Sequence, residues 1–144
     1  MKIVLLTSDS LRHKFIASEI SKQLDLKLIV IEAKSAKIQD TSELNKQEAA
    51  FISAHFKARN KSESLFFGGY KEFPGEIPQL RIPHGNFNSL EVNKAIDNLT
   101  PDLIVLFGTS IIKDPLLGNY AGKIINLHLG LSPYYKGSAT NLFP

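Results

Sequence analysis

The chain has 144 residues, no cysteine, and a net charge of +3 from 17 Lys and Arg against 14 Asp and Glu. Disulfides, thiolate metal ligands and cysteine nucleophiles are thereby excluded, and the scattered lysines read as a solvated surface, not a nucleic-acid patch. At 43% hydrophobic content one domain over residues 1–144 is expected, with no membrane-spanning run and no signal peptide, so a cytoplasmic location follows by default.

In chain order, Lys2 to Thr7 is a continuous apolar run, as expected of a parallel strand covered on both faces. Asp9 or Ser10 caps a helix in which Ile16, Ile20 and Leu24 stack at spacing four. Leu26 to Ile31 is a second buried strand. From Ser42 to Asn60, the residues Leu44, Phe51, Ile52 and Phe56 mark a helix with one apolar side, and His55 lies close enough to that side to read as packing. Residues 62–87 contain Gly68, Gly69, Pro74, Gly75, Pro78, Pro83 and Gly85. They are expected to form a long irregular connection, pinned to the body by Phe66, Phe67, Tyr70 and Phe73, the alternative being that these aromatics line an acceptor pocket. His84 within it has no evident partner. Asn88 or Ser89 caps a third helix with the stripe Val92, Ala95, Ile96 and Leu99, which Pro101 ends. Leu103 to Phe107 is the third strong strand, Asp114-Pro115 starts a short helical turn, and Lys123 to Leu127 is the fourth strand. This alternation of strand and helix predicts a Rossmann-like, three-layer α/β fold with a mostly parallel sheet.

Chemistry gathers at the ends of these strands. Asn126 and His128 stand two residues apart at the close of the last strand, so alternation sends both to one side. The Gly, Ser, Pro and Tyr that follow cannot continue a central strand, and loops at strand ends are where open α/β sheets bind ligands. Alone, His128 would read as a satisfied core histidine and Asn126 as a backbone cap. Beside Pro133-Tyr134-Tyr135-Lys136-Gly137 they read as a functional pair. Gly108-Thr109-Ser110 is a permissive turn whose backbone can approach a flat ring, or else an ordinary connection into a helix. Arg12 and His13 lie where the amides of a first helical turn favour a phosphate or carboxylate, the alternative being a solvated cationic helix start. Thr7-Ser8-Asp9-Ser10 stands where a dinucleotide site would need Gly-x-Gly-x-x-Gly, so no such cofactor is indicated.

The run Asn126-Leu-His128-Leu-Gly-Leu-Ser132-Pro-Tyr-Tyr135-Lys-Gly137 resembles the signature loop of the folate-dependent formyltransferases. The likeness extends upstream through Tyr120-Ala-Gly-Lys123 and Pro101-Asp102-Leu-Ile-Val-Leu-Phe-Gly108-Thr-Ser-Ile-Ile112, and the first strand fits as well. Departures are Leu129-Gly130, where the family commonly has Pro-Ser, and Lys136, where it has Arg or Pro.

The resemblance implies formyl transfer from 10-formyltetrahydrofolate to a primary amine of a small molecule, with no metal. An amino-sugar nucleotide is the preferred acceptor and tRNA a less favoured one. It implies that Leu106, Phe107, Gly108, Thr109, Ser110, Ile111 and Ile112 hold the pterin, and that Asn126 and His128 are catalytic. Ser10, Arg12, His13, Ser132, Tyr135 and Gly137 are then expected to meet the acceptor. It also implies an essential Asp some tens of residues beyond His128, so the remainder of the domain is expected past Pro144 and residues 1–144 alone are expected to be inactive. The alternatives are a non-catalytic folate- or anion-binding remnant, and a hydrolase of the same fold that gives the formyl group to water.

Overall fold

The computed structural model describes residues 1–35, 42 and 45–128. Five strands, β1 (Lys2–Ser8), β2 (Asp25–Glu32), β3 (Gln79–Ile82), β4 (Leu103–Phe107) and β5 (Ile124–Asn126), form one all-parallel sheet in the order β3-β2-β1-β4-β5. Helices α1 (Leu11–Gln23), α2 (Lys46–Phe67), α3 (Leu90–Leu99) and α4 (Leu116–Asn119) connect them. The expected Rossmann-like α/β architecture is therefore the one that forms.

Strand alternation sorts the core into two layers. Ile3, Leu5, Ile29, Ile31 and Val105 face Ala17 of α1 and Phe73, while Val4, Leu6, Leu28, Val30, Ile104 and Leu106 face Val92 and Ile96 of α3 and Leu116 of α4. Leu26 shares a layer with Ile29 although the two stand three positions apart, an odd spacing. The β1–β2 register shifts between Ile3 and Val4, pairing them with Leu26 and Leu28, so a bulge at Lys27 absorbs the extra residue.

The helices differ from the expected bounds. In α1 the buried positions are His13 and Ala17, and Leu24 is exposed beyond the helix end. Helix α2 starts at a capping box, in which Asn45 Oδ1 accepts from the Gln47 and Glu48 amides at 3.0 Å each and the Glu48 carboxylate accepts from the Asn45 amide. It runs on through residues 61–67, and it ends where a Cβ on Gly68 would come within 2.3 Å of the Ser64 carbonyl oxygen. Residues 62–87 are thus not one irregular connection: the first six close α2, and Gln79–Ile82 form edge strand β3. Phe67 and Tyr70 pin this region by packing their rings 5.1 and 5.0 Å from Phe15, and Phe73 is buried, but Phe66 is exposed. His55 is exposed too, meeting the adjacent Phe56 ring edge to face, so it does not pack inward. No helix among the described residues is long and apolar enough to cross a membrane.

Candidate active site

The strand order reverses at β1: the chain moves outward to β2 and β3, then returns to β4 on the other side. A crevice opens at the carboxyl ends of strands at such a switch point. Two bonds fix its frame. Thr7 Oγ1 donates to the Phe107 carbonyl at 2.9 Å, tying the ends of β1 and β4, and the Leu127 amide donates to the Leu106 carbonyl at 2.8 Å, carrying the β4–β5 ladder past Asn126.

An open cleft of about 630 Å³ lies there. Leu106, Phe107, Gly108, Thr109, Ser110, Ile111 and Ile112 form one long wall, Asn126, Leu127 and His128 another, and Arg12 and His13 close it from α1. Asn126 and His128 are exposed and line the cleft, and so does Leu127 between them. Leu117 of α4 adds an apolar side chain. Gly108 has φ +69°, and a Cβ on it would stand 2.5 Å from His13 Nε2, so only glycine allows the turn and the imidazole to meet. The Gly108 turn and the apolar side chains of Leu106, Ile112 and Leu117 line the cleft together. Ser132, Tyr135 and Gly137 lie outside the described residues.

The α1 side is polar and buried. Ser10 is the N-cap, yet its hydroxyl makes no bond to the helix amides and instead lies 2.6 Å from His13 Nδ1. His13 is 1% exposed and meets the Phe107 ring edge to face at 4.9 Å. Burial, reinforced by the charges of Arg12 and Lys34, pushes its pKa down to about 3, so the imidazole is neutral. Arg12 is ion-paired with Glu63 of α2, and Arg59 Nε lies 3.5 Å from the same carboxylate. Burial and the two guanidinium groups also push the Lys34 pKa down, which marks an excess of positive charge near one carboxylate. Asp9 sits beside it, paired with Lys14 at 2.9 Å and Arg81 at 2.8 Å. Burial opposes its charge, but those two cations outweigh burial and hold its pKa below the ordinary value.

Sequence reasoning passed over Glu32, Lys34, Arg59 and Glu63. Glu32 carried a usable signal as the one charged residue closing the apolar run Leu28–Ile31, since an acid at the end of a doubly covered strand needs donors. Arg59 and Glu63 are spaced i, i+4 on a helix, which betrays a mutual contact but not one with Arg12.

The sequence profile of the formyl transferase family matches residues 1–142. Phosphoribosylglycinamide formyltransferase of Haemophilus influenzae is 38% identical over 87 residues, covering 56% of this chain and 40% of that protein. Methionyl-tRNA formyltransferase of Finegoldia magna is 36% identical over 55 residues, covering 38% of this chain and 18% of that one. Among solved structures, phosphoribosylglycinamide formyltransferase from Anaplasma phagocytophilum superposes with a TM-score of 0.56 at 18% identity, over 95% of this chain and 53% of that one. That likeness speaks for the fold, and the chain spans about half of that protein or less of the others. The profile match over nearly every residue settles the kinship: the chain belongs to the formyl transferase family.

Proposed function

We propose that this chain carries the donor-binding and part of the catalytic apparatus of an N-formyltransferase, moving a formyl group from 10-formyltetrahydrofolate to a primary amine of a small molecule. The observation that carries this reading is the convergence of residues 106–112 with Asn126 and His128 on one cleft at the β1/β4 switch point. The folate supplies an activated formyl group. Residues 106–112 seat its ring against apolar side chains and the main chain of the turn at Gly108 and Thr109. As an amine attacks the formyl carbon, negative charge grows on the formyl oxygen, where the Asn126 amide can donate a hydrogen bond. His128 can donate there too, or carry the proton that the amine releases to folate N10 as the bond between N10 and the formyl carbon breaks and tetrahydrofolate leaves.

Arg12, with Lys34 and Arg59 behind it, favours an anionic group on the acceptor, while neutral His13 contributes hydrogen bonding and shape without charge. An amino-sugar nucleotide has both the amine and the phosphate charge that this arrangement calls for. The net charge of +3 offers little for a large nucleic acid.

The test uses the protein at the full length its gene encodes, incubated with 10-formyltetrahydrofolate and a panel of amino-sugar nucleotides, glycinamide ribonucleotide and methionyl-tRNA, with products identified by mass spectrometry. A formylated small amine is expected, and Arg12→Ala should raise the acceptor KM by about tenfold, the worth of one charge-assisted hydrogen bond, with folate affinity nearly unchanged. Free formate as the only product would replace transfer by hydrolysis. Folate binding without turnover would make the domain a binding module.

A further inference from the structure

Glu32 is 2% exposed at the carboxyl end of β2, and no Lys or Arg among the described residues pairs with it. Its charge is met by the two loops that follow β3 and β4. Oε1 accepts from the Gly85 amide at 2.7 Å and from Ser110 Oγ at 2.7 Å, and Oε2 accepts from the Ser110 amide at 3.1 Å. At the rim, His84 Nδ1 stands 3.7 Å from Oε2. Gly85 reaches it with φ +83°, a backbone shape that side chains disfavour. A carboxylate taken out of water demands full hydrogen bonding, so it is a stiff joint for whatever donates to it. The same loop is held again three residues on, where Asn88 donates to the Ile111 carbonyl at 2.9 Å and accepts from the Lys113 amide at 2.6 Å.

We propose that Glu32 is a positioning residue for the donor site: it fixes the Ser110 backbone so that residues 108–112 present a preformed edge to the pteridine. The proposal rests on the reading of that loop as the folate wall. Glu32 touches no reactant. It lowers the ordering cost that the ring would otherwise meet on entry, and it links the loop after β3 to a site that this loop does not line.

Glutamine at position 32 keeps the volume but offers one accepting oxygen, and turns an NH2 toward donors that had been satisfied. On the full chain, with the stable probe 5-formyltetrahydrofolate, Glu32→Gln should weaken binding by about tenfold or more, since more than one charge-assisted bond is lost. Amide exchange at Ser110–Ile112 should speed by at least about tenfold while Leu5 and Val105 in the sheet stay protected. Ser110→Ala, which removes the hydroxyl bond and keeps the amide, should shift both readouts the same way by about threefold. Unchanged loop exchange and unchanged affinity in Glu32→Gln would overturn the proposal. Should that variant lose protection throughout the sheet, Ser110→Ala decides: no selective change in its loop sinks the idea. A wild-type chain that takes up no probe would remove the donor-site reading, whereas loop exchange in the variants still reports the joint by itself.

Discussion

The two walls of the cleft are made differently. The wall from α1 and β4 is interlocked: His13 is buried against Phe107 and Gly108, and Ser110 is anchored on a buried carboxylate. The wall from β5 stands on a three-residue strand, the last in the sheet among the described residues, with Asn126, Leu127 and His128 all exposed. The difference separates two jobs. Under the proposed function, the interlocked, desolvated groups set the shape that a ring must match, and the accessible groups at a strand end meet the atoms that react.

The sharpest way to break this division is to delete the exposed side. In the full-length protein, His128→Ala or Asn126→Ala should lower kcat by on the order of 10²–10³ with little change in folate affinity or thermal stability, the loss typical of one oxyanion donor. Near-full activity of either variant would end the assignment of that side chain as catalytic. On the interlocked wall the expected damage is the reverse. Gly108→Ala forces a Cβ toward His13 and a side chain into positive φ, at roughly 1–3 kcal/mol of stability, with folate affinity falling alongside. Gly69→Ala, which meets nothing within 4 Å, serves as the control, and equal melting temperatures for the two would mean that the wall yields.

The third expectation is a pH slope. His13 is held neutral with a pKa of about 3 against 6.5 in the unfolded chain. Its contribution is whole above pH 6.5; below that, the unfolded chain binds a proton that the native one refuses. Stability should therefore drop as pH falls from 6.5 toward 3, by up to about 1.4 kcal/mol per pH unit from this group. Denaturant titrations of wild type and His13→Gln between pH 7 and 5 test it, and parallel curves would show that the imidazole is not the cause.

How legible each part was follows from what drives it. β1, β2, β4 and β5 announce themselves as apolar runs, and α3 by a one-sided stripe that the sheet buries. β3 does not, because Gln79-Leu80-Arg81-Ile82 is a short edge strand between Pro78 and Pro83 and needs apolar residues on one face only. Helix α2 has no buried residue, and Phe51 and Leu65 on it are exposed, so an apolar pattern there carried no information about its end. The cleft was readable because its parts sit at strand ends, where topology makes distant segments neighbours. The joint at Glu32 was not, since its partners lie 53 and 78 residues away and no local rule links them.

The bond from Thr7 to Phe107 spans 100 residues of chain, and that separation has a temporal side. At ribosomal rates, β1 emerges roughly 5–20 s before its neighbour β4 can exist. Once β2 has emerged it can cover one edge of β1, and the other edge stays open until β4 arrives. The cleft thus cannot form until β4 has emerged, and a cell making this chain meets its apolar central strand well before it.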